Sequence, residues 1–171
     1  MANANDLLRD LFGRVADELP QLLDGLAPDA LHWRPGPDAN PIGWLAWHIG
    51  RCEDAQVAPI GGADQVWSIG GWAGRFTPEH GLDDVGYGHT SAQVGAFRVQ
   101  DPGALAGYYA AVHERTVEVL GGLSEPDLDR VLDRRWDPPV TVGVRLVSIV
   151  NDVTQHLGQL AYVRGLWERS A

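Results

Sequence analysis

TVGVRLVSIVNDVTQHLGQLAYVRGLW, residues 141–167, decides the fold. Val142, Leu146, Ile149, Val153, Leu160, Val163 and Trp167 recur at helical steps, which predicts one long amphipathic helix over roughly Thr141 to Trp167. Asp152 and His156 sit on that helix four residues apart. At about 100° per residue they lie some 40° apart on one face, one turn above the other. His156 projects into the arc of Ile149, Leu160 and Val163, with Asp152 at its margin, so both point inward. An ionised carboxylate aimed at a core is costly unless it is paired or coordinated. Asp152 therefore asks for a partner on a facing helix.

The natural partner is His48. Asn40-Pro41 reads as an N-cap followed by proline at the first helical position, opening a helix from Ile42 to about Val57. Trp44, Leu45, Trp47, Ile49 and Cys52 make this helix apolar over much of its girth, hence central. His48 with Asp152 and His156 would give three nitrogen and oxygen donors and leave positions open, the pattern of a catalytic rather than a closed structural metal site. The same spacing suits an Asp–His hydrogen-bonded pair in a satisfied core, with His48 bonded to a carbonyl. Spacing alone leaves both readings open.

Two further helices complete the pattern. Leu8, Phe12, Val15, Leu19, Leu22 and Leu26 trace an apolar face from about Asp6 to Leu26, before Pro28 and Arg34-Pro-Gly-Pro-Asp38 turn the chain. Asp101-Pro102 is a second cap-plus-proline signature, opening a helix through Leu105, Tyr108, Tyr109, Val112, Thr116 and Val119 to Gly121-Gly122. Ser124-Glu-Pro-Asp127 starts a short helical turn, and Pro138-Pro139 precedes the last helix. Between helices two and three runs a crossover from about Pro59 to Gln100, rich in glycine and aromatics; a connection of that length is expected to be ordered by its aromatic residues. No repeat, low-complexity tract or sustained two-residue alternation is present. The expected fold is all-α: a four-helix bundle with one long crossover, in a single domain spanning residues 1–171.

The stretches WRPGPDANPIGWLAWHI (residues 33–49) and HLGQLAYVRGL (residues 156–166) resemble the DinB/YfiT-like superfamily of metal-binding four-helix bundles. The resemblance extends over nearly the whole chain, in helix order, crossover position and both motif sites. It implies a divalent ion, zinc or nickel, bound by His48, Asp152 and His156. Many members have histidine where Asp152 stands. A carboxylate there is similar to the branch of the mycothiol-dependent maleylpyruvate isomerase, which has glutamate, one methylene longer. That branch implies a metal-dependent transferase or isomerase using a low-molecular-weight thiol on a small-molecule substrate, in a protein that forms homodimers. A non-catalytic metal- or ligand-binding bundle and a metal-dependent hydrolase are the alternatives.

Composition narrows the field further. The net charge is −10, and all 13 basic residues are arginine. Such an acidic surface disfavours nucleic acid and anionic membranes, and the absence of lysine removes Schiff-base chemistry and the P-loop. One cysteine, Cys52, excludes internal disulfides and thiolate cages. No secretory leader or spanning segment is legible, so a cytoplasmic protein is expected. Cys52, one turn after His48, reads as a buried small hydrophobe or as half of a Cys–His dyad. Arg145 is expected either to hold a substrate carboxylate or to snorkel from the bundle's end, and Gln159 to buttress Asp152 or to cap local backbone. Trp67 and Trp72 are expected to line the metal pocket, whereas Trp44, Trp47 and Trp136 read as core. His32, His80, His89 and His113 lack ligand-spaced neighbours and read as surface or loop histidines.

Overall fold

A computed structural model describes residues 3–77, 80–99 and 101–170. Four long helices form the bundle: α1 (Ala4–Leu23), α3 (Ile42–Gly61), α6 (Pro102–Gly122) and α7 (Val142–Ser170). Short helices fill the connections: α2 (Pro28–His32), α4 (Val66–Ile69) and α5 (Ser91–Ala96). α1 and α3 each pack against both α6 and α7, so α1 and α3 occupy one diagonal of the bundle and α6 and α7 the other. The core is drawn from all four, with Phe12, Leu19, Leu45, Trp47, Tyr108, Leu120, Leu146 and Leu160 fully buried.

The termini follow local chemistry. Asn3 caps α1 in a reciprocal box with Asp6, and Asp101 accepts from the Gly103 N–H at the start of α6. At α3 the cap is Pro41 rather than Asn40, with Ile42 the first helical residue. Pro28 does not merely break the chain; it opens α2, where its missing N–H is harmless. Pro20 and Pro59, by contrast, lie inside α1 and α3. Both are on the solvent side, where the carbonyl that each leaves without an N–H partner can be hydrated, so α3 runs on to Gly62 in the left-handed conformation.

The all-α expectation needs one small correction. Val131–Asp133 (β1) and Val140–Thr141 (β2) pair antiparallel just before α7, too short for an alternating pattern to be read. The crossover, whose expected last residue Gln100 lies outside the described residues, is ordered through α4, a 3-10 turn at Ala73–Arg75, α5 and a bridge between Thr77 and Arg98. Among the described residues no helix is long and apolar enough to cross a membrane.

α3 is buried on nearly every side, and so are its charged residues. Arg51, wholly buried, stacks 4.8 Å over the Trp67 ring and donates to the carbonyls of Leu82 and Asp84. Asp54 accepts from the N–H groups of Val66 and Trp67 at 2.8 Å each and from the Tyr108 hydroxyl at 2.9 Å, with Arg51 3.4 Å away. Tyr108 reaches Asp54 because Gly50 leaves room for its ring; a Cβ there would stand 2.7 Å from it. Arg51 and Asp54 thus bind both arms of the crossover to α3, and this attachment positions the residues over His48.

Candidate metal centre

His48, Asp152 and His156 come together where α3 faces α7. The His48 and His156 rings meet edge to face with centroids 4.4 Å apart. His48 Nε2 lies 3.9 Å from Asp152 Oδ2, and His156 Nδ1 lies 3.5 Å from the same oxygen. His48 is buried, whereas Asp152 and His156 are half-buried and leave the group a side toward solvent.

Backbone carbonyls fix which nitrogen each imidazole presents. His48 Nδ1 donates to the carbonyl of Val85 in the crossover, and His156 Nδ1 donates to the carbonyl of Asp152 at 2.9 Å. In both rings Nε2 is then left with its lone pair, the tautomer a metal ligand needs. Trp44 stacks on His48 at 4.8 Å and 9°, holding the ring plane. Burial pushes the His48 pKa down, helped by the neighbouring His156, so the neutral form is favoured. The Asp152 carboxylate beside its ring, and then the Asp152 carbonyl, raise the pKa of His156. Burial pushes the Asp152 carboxyl up, but the adjacent His156 and His48 rings outweigh it and hold the group below its usual value.

Asp152 Oδ2 is buried and makes no hydrogen bond. A carboxylate oxygen stranded beside two imidazoles is costly by itself and suits a cation. Cys52, one turn beyond His48, adds a sulfur: donor atoms of His48, Cys52 and Asp152 all lie within 4.8 Å of one another. Burial, and then the negative Asp152, push the Cys52 thiol far up, opposite to what a Cys–His nucleophilic dyad requires.

The crossover does wall this site, but through different residues from those expected. Val85 and Gly86 touch His48; a Cβ on Gly86 would stand 2.7 Å from Trp44 and 3.1 Å from His48 Nδ1, and its φ of +86° is one that side chains rarely adopt. Gly86→Ala is therefore expected to destabilise the protein by about 1–3 kcal/mol, read as a fall in the denaturant midpoint. An unchanged midpoint would show that the loop accommodates a side chain freely. Trp67 and Trp72 pack instead against Tyr108 on the α6 side, with Trp67 also on Trp47 and Phe76. The tryptophan beside the candidate ligands is Trp44, whose inward position on α3 made it resemble ordinary core.

Two of the histidines read as surface or loop residues do lie in the crossover loop, but they are turned inward and have the close neighbours that were not expected. His80 is buried, and with His89 it flanks Asp84, whose oxygens lie 2.7 Å from His80 Nδ1 and 2.9 Å from His89 Nε2 and accept from the Gly86 N–H. These three could be read as a second metal group. Trp44 argues otherwise: its Nε1–H donates to His89 Nδ1 at 3.2 Å, so His89 carries its proton on Nε2 and spends it on Asp84. The trio is a hydrogen-bonded clamp that pins the loop carrying Val85. Burial pushes Asp84 up, yet the hydrogen bonds from His80 and Gly86 overcome it and hold its carboxyl below the usual range. No spacing rule could find this clamp, because His80, Asp84 and His89 lie in irregular backbone.

Trp136, read as core, is instead exposed, because it lies in the turn between β1 and β2 outside every helix face. Arg145 donates to Gln56 at 3.0 Å and lies 3.8 Å from Asp133, consistent with a snorkelling arginine. Gln159 is exposed and makes no hydrogen bond to Asp152 among the described residues. His32 accepts from the Val99 N–H, and His113 stacks on Tyr109.

The comparisons agree with this architecture. A solved structure described as a conserved protein of locus from Enterococcus faecalis is similar at a TM-score of 0.88 and 27% identity, the match covering 96% of each chain. Comparison with the curated proteins gives no match. The profile of the DinB superfamily matches residues 11–160, and the chain belongs to that superfamily.

Proposed function

We propose that His48, Asp152 and His156 bind a divalent metal ion, zinc or nickel, and that the protein is a metal-dependent enzyme acting on a small molecule with the help of a low-molecular-weight thiol. The observation that carries the metal reading is the buried, unpartnered Asp152 Oδ2 beside two imidazoles whose Nδ1 protons are already engaged. Two neutral imidazoles and one carboxylate form a donor set suited to these ions. Bound there, such an ion lowers the pKa of a coordinated water or thiol and supplies a nucleophile near neutral pH.

The chain's own residues do the rest. The Val85 carbonyl and the Trp44 face orient His48, and the main chain of α7 orients His156. The half-buried side at Asp152 and His156 is where a substrate would approach. The thiol and the transferase or isomerase chemistry rest on the carboxylate at position 152, which resembles the glutamate of the thiol-using branch of the superfamily but is one methylene shorter.

Elemental analysis of protein purified without a metal-affinity tag is expected to give close to one equivalent of zinc or nickel. His48→Ala and His156→Ala should each bring that stoichiometry well down. Asp152→Asn, which keeps shape and loses charge, should weaken binding at least tenfold while leaving the helical circular dichroism intact. Equal loading of wild type and both histidine variants would end the metal reading. Failure of metal-loaded protein to consume a low-molecular-weight thiol with any electrophile tested would remove the thiol chemistry alone.

A further inference from the structure

Cys52 is the one donor in the cluster that this assignment leaves unused. Cysteine in a core ordinarily behaves as a small hydrophobe. Here its Sγ stands 3.4 Å from His48 Nε2, the nitrogen left with a lone pair when Nδ1 bonds to Val85. The stranded carboxylate of Asp152 belongs to the same group of donors.

We propose that Cys52 binds the metal as a thiolate, completing a four-donor set with His48, Asp152 and His156; this rests on the metal reading above. Two separations can be set against the edges of a coordination tetrahedron, and the nitrogen–sulfur one matches while the nitrogen–oxygen one is about 0.5 Å longer. With metal–nitrogen bonds of about 2.0–2.1 Å and a metal–sulfur bond of about 2.3 Å, the nitrogen–sulfur edge is about 3.5 Å and a nitrogen–oxygen edge about 3.4 Å. The corresponding separations are 3.4 Å from His48 Nε2 to Cys52 Sγ and 3.9 Å from His48 Nε2 to Asp152 Oδ2. His48 and Cys52, four residues apart on α3, supply one edge, and Asp152 closes the group of donors lying within 4.8 Å of one another; His156 stands outside that group, one turn beyond Asp152 on α7, and would join as the fourth donor through Nε2.

Binding exchanges the S–H bond for a sulfur–metal bond and releases the proton to solvent, with no change of oxidation state. The position that three ligands would leave open is then filled by the chain itself. An external thiol or water must enter as a fifth ligand or displace Cys52. A sulfur donor also biases the site toward zinc, cobalt and cadmium over magnesium and manganese.

The test is cobalt(II) titration of wild-type apoprotein prepared by chelation, followed by absorption. Visible d–d bands of a four-coordinate ion are expected together with a near-ultraviolet thiolate-to-cobalt charge-transfer band. In Cys52→Ser the charge-transfer band should vanish while visible bands remain. Visible bands without charge transfer in the wild type would overturn the role of Cys52 and leave the three-residue site standing. Absence of any cobalt bands would remove the metal reading and this proposal with it. Because the wild-type spectrum decides by itself, the outcome does not depend on the variant folding.

Discussion

Replacing Arg51 by methionine is expected to lower stability by about 3–5 kcal/mol, the scale seen when one partner of a buried ion pair is removed. Methionine follows the arginine stem only as far as Nε, so the space of the buried guanidinium group is also emptied and adds a cavity cost. The rest of the loss should come from Asp54, left as a buried carboxylate with only the Val66 and Trp67 N–H groups and the Tyr108 hydroxyl, and from the Leu82 and Asp84 carbonyls, left without donors. Arg51→Lys keeps the charge but not the planar fork, and should recover only part of the loss. Denaturant unfolding measures the total, and hydrogen exchange localises it, with protection falling first around residues 82–86. A loss below about 1 kcal/mol with unchanged exchange there would show that the crossover holds itself in place. Because Val85 follows Asp84, a loosened loop should also weaken metal binding through His48.

The contrast between α7 and the crossover shows what a sequence can convey. Asp152 and His156 were legible because a helix converts a spacing of four into a shared face, and the apolar residues around them fixed which face is inward. His48 was legible more weakly, as a histidine on a helix apolar over most of its girth and so central enough to face Asp152. The position of Val85 follows no period: it depends on Asp84 collecting His80, His89 and the Gly86 N–H, and on Arg51 reaching two carbonyls more than thirty residues away. Trp67, expected beside the ligands, packs in the core away from them, and Trp44, read as core, is core and also stacks on His48; an apolar helix buried on nearly every side offers no arc that separates the two. The same near-complete burial carried a signal that was available: three charged residues in the middle of a helix this apolar are mostly forced inward, and Arg51, Glu53 and Asp54 form internal networks. The prolines in α1 and α3 misled only about helix ends, since exposed carbonyls tolerate them.

Glu53 provides the other large effect, and its sign depends on pH. Its carboxyl is wholly buried, with Thr116 Oγ1 2.6 Å from Oε1 and the Tyr109 hydroxyl 2.8 Å from Oε2. Thr116 Oγ1 is also 3.1 Å from the Val112 carbonyl, and one hydroxyl has a single proton for two acceptors. The conflict disappears when Glu53 is protonated: it donates to Thr116, Thr116 donates to Val112, and Tyr109 donates to the remaining oxygen. Burial pushes the Glu53 pKa up to about 7, against the opposing hydrogen bonds of Thr116 and Tyr109. In the unfolded chain the group returns to about 4.3. Below that pH both states hold the proton and stability is at its full value. Between about pH 4.5 and 7 only the folded state retains it, so stability declines as pH rises, by about 3–4 kcal/mol in total from this residue. Glu53→Gln mimics the neutral acid, with its amide donating to Thr116 and its carbonyl accepting from Tyr109. The variant should fall below the wild type by about 1 kcal/mol near pH 4.5, where its second amide proton lacks a partner, and exceed it by about 2–3 kcal/mol at pH 8, where the wild type has lost the proton on Glu53. Denaturant midpoints of both proteins at intervals from pH 4.5 to 8 measure the difference, in which other titrating groups cancel. Parallel profiles across that range would mean that Glu53 titrates alike in the folded and unfolded states, despite its burial.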